Sequence, residues 1–326
     1  MSSDEEPIRD LRTRRPAGSM TPAFEPVPLP AGDDLAAGIA RWVDSPAVAA
    51  LLADFGQRPL PAGPLAERLS ALEAVSAQIW DYRKGLERHE AVGETFPDER
   101  VALIRAAASA LGLADRRTPA ADRYDHVLVL GGGVATMMAR AELAATVLRD
   151  GVEATTVAGL GSVRELEVQV EGLPVCATEG DAVELGLRCA FGLDGAVATR
   201  SGVSELGMPW WVHSYPAADP VVHVLAAPST QPGKRADTAD TLTGWAEIVQ
   251  RVPKDSRLLV VTTDIFVPFQ HCDAVRLLGL PYGCTVDTIG FDTGANPWVP
   301  VTQPFAVLQE VRSAVRSMQA LHLALG

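Results

Sequence analysis

A short apolar run that ends in consecutive glycines constrains the fold of this chain more than any other feature. Residues 125–130 form the run, and Gly131, Gly132 and Gly133 follow it directly. A helical pattern over about residues 134–149 comes next. A strand, a glycine turn and a helix in this order are the first half of a βαβ unit, so the sequence predicts a parallel sheet.

Further apolar runs alternate with helical patterns along the rest of the chain. Their hydrophobicity is continuous instead of alternating, as in strands that are covered on both faces. The predicted fold class is therefore α/β, with a doubly wound, mostly parallel, Rossmann-like sheet of about five strands. The predicted strands are 125–130, 154–158, 221–226, 258–262 and 285–289, and the predicted helices in this part are 134–149, 179–191, 237–250, 270–278 and 304–324.

The first third of the chain has a different pattern. Residues 1–32 are rich in proline and carry mixed charges, which predicts a disordered or extended tail. Residues 33–115 repeat apolar positions at helical spacing, for instance over 65–82 and 98–111, and are predicted to form a helical cap subdomain. Residues 122–326 are then predicted to form the ligand-binding domain, which closes with a C-terminal helix.

Composition excludes several classes of partner. The chain has 41 acidic and 28 basic residues and a formal net charge of −13. Binding to nucleic acid or to an anionic membrane surface requires a concentrated basic face, so we expect neither. The partner that we expect is a small molecule, and the oligomeric state stays open.

The cysteines and the apolar runs bear on location. The 4 cysteines form no C-x-x-C pair and show no metal-ligand spacing, so we predict no metal site and a reducing compartment. The sequence contains no uninterrupted apolar run long enough for a transmembrane helix and no signal-peptide core near its start. The predicted location is therefore cytoplasmic.

Standard cofactor motifs are missing around the glycine turn. A nicotinamide fingerprint needs a third glycine where Thr136 stands, and an acidic residue at the end of the second strand, which instead leads into Ala158 and Gly159. Walker A and G-x-S-x-G motifs are missing as well. A standard NAD dehydrogenase is therefore not expected, and S-adenosylmethionine or another nucleotide stays among the possible ligands.

The glycine turn is the first candidate for ligand contact. Without side chains, Gly131, Gly132 and Gly133 allow backbone N–H groups to approach an anion, and the following helix adds partial positive charge. The same turn also suits tight packing of a strand against a helix with no ligand. Both interpretations stay open at this point.

Polar residues also follow the predicted second and third strands. Gly161, Ser162, Arg164 and Glu165 come after the second strand and form either a second binding loop or an ordinary solvated loop. Ser229 follows the next strand, and Arg235 precedes a predicted helix N-terminus. A cation at that position adds to the attraction of the free helix amides for an anion.

The strand at 258–262 ends in a third candidate group. Thr262, Thr263 and Asp264 offer hydroxyls and a carboxylate, which suit the holding of a ribose or the orientation of a nucleophile. His271 follows and is a candidate general acid or base. A single histidine near a helix start is more often structural, so this alternative also stays open.

Several short motifs follow one another in a recognisable order. Each is weak alone, and the order carries the information. The motifs are Leu-Gly-Gly-Gly with Arg140 on the next helix, Gly159-Leu160-Gly161 with Glu165, Glu179 at a helix start, Ser229 with Thr238, and Val-Thr-Thr-Asp at 261–264.

This order resembles the SanA/ElyC/YdcF-like family over about residues 122–292. The resemblance implies a five-stranded parallel core with a polar cleft at the strand ends. It also implies a nucleotide-like, phosphate-bearing or otherwise anionic small-molecule ligand. The residues that it places in the cleft are Gly131, Gly132, Gly133, Arg140, Glu165, Glu179, Thr238, Thr262, Thr263 and Asp264.

The chain departs from that family at two places. Asp240 stands where the family has asparagine, and Phe266, Pro268 and Phe269 stand where it has histidine and arginine. Because part of the family's polar centre is changed, the site is either rebuilt or not catalytic.

The sequence thus leads to one main hypothesis and two alternatives. The main hypothesis is a cytoplasmic small-molecule enzyme, with a transferase or hydrolase favoured, in which Asp264, His271 and Glu165 move or orient protons. In this hypothesis Arg140, Arg164, Arg235 and the glycine turn bind the ligand. The alternatives are a catalytically inactive ligand-binding or accessory protein and a protein-interaction module.

Overall fold

The structure is a computed structural model in which a helical region precedes a single sheet. The predicted tail lies outside the described residues as far as position 22. Residues from Ala23 onward run along the helical region, where the Val27 N–H donates to the Ala110 carbonyl oxygen at 2.8 Å. The described residues are 23–85, 91–115, 118–166, 172–195, 197–296, 299 and 302–326.

The helical region begins with capped helices. The Asp34 side chain accepts a hydrogen bond from the Ala37 N–H, and the Ser45 hydroxyl accepts one from the Val48 N–H. Gly112 has a φ of 80° and stands just past the last of these helices, the left-handed conformation in which glycine commonly ends a helix. The helices are α1 (Leu35–Val43), α2 (Pro46–Asp54), α3 (Leu65–Ile79) and α4 (Asp98–Ala110).

The first two helices lie in a strongly apolar segment. Within the described residues, Leu35–Asp54 is long and apolar enough to cross a membrane by length and composition alone. In the structure this segment is two helices, broken at Asp44 and Ser45, and half of its apolar window is buried. Ile39 and Trp42 are fully buried in the protein core, which accounts for the hydrophobicity without a membrane.

In the part of the chain that the structure describes, the sheet has seven strands in the order β3-β4-β5-β2-β1-β6-β7. The strands β5, β2, β1, β6 and β7 run parallel, whereas β3 and β4 form an antiparallel hairpin at one edge. The α/β class and the mostly parallel sheet are thus confirmed, and the expected number of strands was too low. The strands are β1 (Arg123–Leu130), β2 (Glu153–Ser162), β3 (Ala198–Val203), β4 (Pro209–Tyr215), β5 (Val221–Ala227), β6 (Arg257–Thr263) and β7 (Thr285–Phe291).

The helices that follow the strands lie on both faces of the sheet. Two of the predicted helices contain π-helical turns, at Trp245–Val249 and Val275–Gly279, that their hydrophobic periodicity does not indicate. The helices are α5 (Val134–Arg149), α6 (Glu179–Phe191), α7 (Thr238–Gly244), α8 (Val267–Ala274), α9 (Leu280–Tyr282) and α10 (Pro304–Ala324).

Alternate side chains of each parallel strand enter different cores. Val127 and Val129 of β1 pack with α5 and α6, whereas Leu128 and Leu130 pack on the other face with α8, α10 and the helical region. Burial on both faces explains why these strands are apolar at nearly every position. Trp42 of α1 belongs to the same core as Leu128, so the helical region and the sheet share one hydrophobic core.

This topology brings the carboxyl ends of the parallel strands to one edge of the sheet. Leu130, Ser162, Ala227, Thr263 and Phe291 are the last residues of those strands. Ligands of open parallel sheets bind at this edge. We call it the carboxyl edge, and the candidate site is built there.

Candidate functional site

The three glycines of the turn between β1 and α5 have different surroundings. A Cβ on Gly131 would lie 2.6 Å from the Leu160 carbonyl oxygen and 3.0 Å from the Glu179 carboxylate, so a side chain does not fit there. A Cβ on Gly132 would contact Thr136 at 3.1 Å. At Gly133 no atom lies within 4 Å of the added carbon, so the turn opens to free space at this residue.

Helix α5 begins at this opening. Gly133 is its N-cap residue and, having no side chain, provides no side-chain hydrogen bond to the first turn. The first turn of α5 also contains no acidic residue. The free N–H groups and the helix dipole therefore present partial positive charge toward the open side of the turn.

Arg140 lies beneath the turn instead of lining a cleft, as the resemblance implied it would. The side chain is 2% exposed, and its Nη1 donates to the Leu130 carbonyl oxygen at 2.7 Å and to that of Gly131. Its Nη2 donates to the Thr263 hydroxyl at 2.9 Å, and its Cζ lies 5.8 Å from the Phe266 ring centroid. The guanidinium thus fixes the end of β1 to the end of β6 and acts as a positioning residue.

A carboxylate stands beside the turn, at the first residue of α6. Glu179 accepts a hydrogen bond from the Ser162 hydroxyl at 2.7 Å and pairs with Arg164 at 2.9 Å. The side chain of Arg164 is 26% exposed and that of Glu179 is 10% exposed. Arg164 therefore reaches solvent next to Gly131 while one of its nitrogens is held in place.

Gly161 and Glu165, two residues of the predicted second loop, contact α6 or its N-cap residue. A Cβ on Gly161 would lie 2.9 Å from Val183, so this glycine allows β2 to pack closely on α6. Glu165 is exposed and forms an isolated antiparallel bridge with Thr178, the N-cap residue of α6. The structure brings Arg164 to the turn, whereas the contact of Glu165 is with the start of α6.

Asp264 follows β6 and is almost fully buried. One of its carboxylate oxygens accepts from the Ile265 N–H at 2.7 Å, and the other accepts from the N–H and the hydroxyl of Thr293. Burial raises the pKa of Asp264 to about 6, and the nearby Asp292 carboxylate acts in the same direction, against the hydrogen bonds. A carboxyl group with this pKa exchanges a proton near neutral pH.

Thr262 and Thr263 point to opposite faces of the sheet, as neighbours in a strand do. Thr263 meets Arg140 on the α5 side. The Thr262 hydroxyl donates to the Gln270 amide oxygen, and the Gln270 amide donates to the Thr238 hydroxyl at 3.4 Å on the other side. Thr262 and Thr238 therefore belong to a polar chain that links β6, α7 and α8, away from the glycine turn.

His271 lies in the interior, one turn into α8. Its Nε2 donates to the Pro30 carbonyl oxygen at 2.8 Å, and its Nδ1 lies 3.0 Å from the Thr288 hydroxyl. Both ring nitrogens thus have partners inside the fold, and the side chain is 2% exposed. This placement favours the structural interpretation, in which His271 ties the N-terminal segment to β7.

Ser229 and Arg235 lie in the loop between β5 and α7. The Ser229 hydroxyl is used locally, because it accepts from the Gln231 N–H and donates to the Gln231 carbonyl oxygen, both at 3.1 Å. Arg235 is exposed. Asp240 accepts from the Thr230 N–H at 3.1 Å and completes a capping box with Asp237, so it holds this loop against α7.

The structure therefore gathers some predicted site residues and separates others. The glycine turn, Arg140, Arg164, Glu179, Thr263 and Asp264 surround the ends of β1, β2 and β6, whereas His271, Thr262 and Thr238 lie deeper on the opposite face. Thr293 was missed as a site residue, because it lies in a segment without periodicity.

Two surface cavities lie away from the carboxyl edge. One, of about 390 Å³, is lined mainly by α6 and includes Glu184 and Cys189. The other, of about 330 Å³, is at the opposite end of the sheet and includes His126 and Lys254. Among the described residues, no group of three or more His, Cys, Asp or Glu side chains is arranged to hold a metal ion.

Comparison with known proteins shows which family the chain is related to. A family described as the Rv3785 N-terminal domain matches residues 28–112. Uncharacterized protein Rv3785 of Mycobacterium tuberculosis is 30% identical over 346 aligned positions, which cover 91% of this chain and 93% of the relative. Uncharacterized protein Mb3814 of Mycobacterium bovis matches with the same identity and coverage. No solved structure matches the chain.

These relatives correct the resemblance drawn from the motif order. The assignment to the SanA/ElyC/YdcF-like family is wrong, because the match to Rv3785 extends over nearly the whole chain and includes the helical region. Short glycine and Thr-Thr-Asp motifs recur at strand ends in parallel sheets for geometric reasons, so their order alone did not identify the family. By its identity and coverage, the chain belongs to the Rv3785 family.

Proposed function

We propose that this protein is a cytoplasmic small-molecule enzyme that binds a nucleotide-type, phosphorylated or otherwise anionic metabolite at the carboxyl edge of its Rossmann-like sheet. The observation that carries the proposal is the N-terminus of α5. It has no side-chain cap, opens at Gly133, and has Arg164 nearby on the neighbouring strand end.

Electrostatics support an anion at this position. The free amides of the first turn of α5 and the helix dipole favour negative charge there. Arg164 adds a guanidinium that is partly exposed and already oriented by Glu179. Arg140 keeps the turn in place from below, so the site is held in one shape before a ligand arrives.

Asp264 is the group best suited to proton transfer. It follows β6 directly, it is tied to the turn through Thr263 and Arg140, and its pKa is near 6. A transferase or hydrolase uses such a group to accept a proton from a nucleophile or to donate one to a leaving group. The contacts of His271 do not support the same role.

A ligand screen tests the proposal. The unfolding midpoint of the full chain is measured with inorganic phosphate, nucleoside phosphates, S-adenosylmethionine and sugar phosphates. A ligand that binds the folded state at 100 times its Kd adds about 2.7 kcal/mol of stability, so a true ligand raises the midpoint clearly. If none of these anions changes the midpoint, the proposal is wrong.

Variants locate the binding. Arg164→Gln should weaken the binding of the best ligand about tenfold or more, since a charge-assisted hydrogen bond contributes about 1.5–3 kcal/mol. The control is Arg123→Gln, which removes an exposed arginine at the start of β1, the opposite end of the strand. Equal affinities of the two variants would place the ligand elsewhere.

A second candidate function is a ligand-binding protein without catalysis. The observation that favours it is the burial of Asp264. One of its carboxylate oxygens already accepts a hydrogen bond from Ile265, and the other accepts one from Thr293. If the screen finds a ligand, Asp264→Asn separates the two functions. An enzyme loses turnover and keeps binding, whereas a binding protein shows no turnover in either form.

A further inference from the structure

The two outermost strands of the sheet, β7 and β3, are protected to very different degrees against pairing with a further strand. At one edge, β7 carries Asp287, which accepts hydrogen bonds from the Thr288 N–H at 2.8 Å and from the Tyr124 hydroxyl and Ala120 N–H at 2.7 Å. A main-chain donor of β7 is therefore occupied, and an acidic side chain lies half-buried at the edge. Such features prevent another strand from pairing.

The other edge is β3, and it lacks comparable protection. Its residues are exposed except for Gly202, and among the described residues no strand pairs with its outer side. Its sequence contains no proline and no acidic residue. Its single charged side chain, Arg200, bends back over its own subunit, where it donates to the Ile248 carbonyl oxygen at 2.9 Å.

The hairpin geometry shows which main-chain groups of β3 face outward. The Ser204 N–H donates to the Met208 carbonyl oxygen at 2.8 Å, so the main-chain groups of Ser204 point toward β4. Bonded and non-bonded pairs alternate in an antiparallel ladder, and Val203 lies opposite Pro209, which has no N–H. It follows that the N–H and C=O groups of Thr199, Ser201 and Val203 point away from β4.

We propose that a second copy of this chain pairs with this edge, so that β3 and β3 of the partner subunit run antiparallel about a two-fold axis at Ser201. A two-fold interface is the commonest form of self-association. It supplies each outward N–H and C=O of β3 with a partner from the same strand of the other copy. The sheets of the two subunits then form one continuous sheet.

The sequence of β3 selects this register. With Ser201 at the axis, Val203 lies opposite Thr199 of the partner subunit, which is a favourable pair of β-branched residues. Arg200 then lies opposite Gly202 of the partner subunit. An axis at Arg200 would instead place two arginines directly opposite each other, which is unfavourable.

Exposed apolar side chains and charge fit the same partner. Val203 is 66% exposed, Leu206 is 47% exposed and Val197 is 37% exposed, and these residues flank the two ends of β3. Pairing would cover part of this surface. The chain has a net charge of −13, which would oppose the association of two copies. Because β3 itself contains no acidic residue, its pairing with a second β3 brings no carboxylates together.

The dimer leaves the candidate ligand sites separate. Both β3 and β5 run antiparallel to β4, so β3 points toward the carboxyl edge as β5 does. The two-fold axis reverses the strand direction from one subunit to the other. The carboxyl edges of the two subunits therefore point in opposite directions along the strands of the continuous sheet. Ligand binding and dimerisation can be tested independently.

The mass of the full chain in solution, measured by light scattering after size exclusion, tests the proposal. The wild-type protein is expected to be a dimer. Ser201→Pro removes an outward N–H without breaking a bond to β4 and should give a monomer, whereas Ser201→Thr, which keeps the N–H, should stay a dimer. Circular dichroism shows that each variant is folded. A wild-type monomer, or a dimer that folded Ser201→Pro leaves intact, would overturn the proposal.

Disulfide trapping tests the register. In a Cys189→Ser background, which removes the exposed native thiol, Ser201→Cys places two thiols across the axis and should form a covalent dimer on mild oxidation. Thr199→Cys is the matched control on the same face of β3. Its thiol would lie about 13 Å from its copy, given about 3.3 Å per residue along a strand, and should stay uncoupled. Trapping of Thr199→Cys in preference to Ser201→Cys would refute the register.

Discussion

Arg140 on α5 donates to the Thr263 hydroxyl of β6 through two nitrogens, Nε at 3.2 Å and Nη2 at 2.9 Å, while its Nη1 holds the end of β1. Two neighbouring strands of the sheet, β1 and β6, are thus tied together at the carboxyl edge by one buried guanidinium. The planar fork of an arginine can reach these groups at once, which a lysine cannot.

Replacement of Arg140 should therefore destabilise the fold. We expect Arg140→Lys to lower the free energy of unfolding by about 3 kcal/mol, since buried carbonyl and hydroxyl groups lose their donors. Urea denaturation measures this. Arg149→Lys, on an exposed turn of the same helix, should change stability by less than about 0.5 kcal/mol. Similar values for both variants would show that Arg140 does not hold the strands.

The glycine turn should tolerate a methyl group at one residue and not at another. Gly131→Ala brings a carbon to 2.6 Å from the Leu160 carbonyl oxygen and should cost about 1–3 kcal/mol of stability. Gly133→Ala enters open space and should be nearly neutral apart from its effect on the helix cap. Thermal unfolding of the two variants checks this, and the opposite order would contradict the geometry of the turn.

The raised pKa of Asp264 gives stability a defined dependence on pH. The ordinary value is 3.8 and the folded value is about 6, so the folded state binds this proton more tightly than the unfolded chain does. Stability from this group is therefore present below pH 4 and is lost as the pH rises to about 6, by at most about 3 kcal/mol. Urea unfolding between pH 4 and pH 7 should show this slope in the wild-type protein and not in Asp264→Asn. Equal slopes would show that Asp264 titrates at its ordinary pKa.

The shared core predicts that the helical region cannot be removed. Trp42 and Leu69 belong to the same core as Leu128 and Val260 of the sheet. Deletion of residues 1–115 should therefore expose one face of the sheet and give a protein that binds a hydrophobic dye and unfolds without cooperativity. A truncated protein with a sharp thermal transition would show instead that the helical region is an independent domain.

The sequence predicted the elements whose pattern is local. Helices α6 and α10 begin and end at the predicted residues, and each predicted parallel strand is present. Strand β3 was missed because it is exposed and carries no apolar run. Helix α2 was missed because it directly follows α1, with only Asp44 and Ser45 between them.

The candidate site was harder to predict because its contacts are long-range. The glycine turn and Asp264 were recognised as strand-end groups. The positions of Arg140 and His271 depend on which helix face meets the sheet, and the Pro30 carbonyl oxygen that His271 contacts is 241 residues away in the chain. No local pattern contains that information.

The most direct test of the anion site is a calorimetric titration of the best ligand from the screen into Gly133→Asp. The new carboxylate fits the open space, caps α5 and occupies the position proposed for the anion. We predict a folded protein, equally stable or slightly more stable, whose affinity falls at least tenfold, while the neutral cap of Gly133→Asn has a smaller effect. Wild-type affinity in Gly133→Asp would contradict the account.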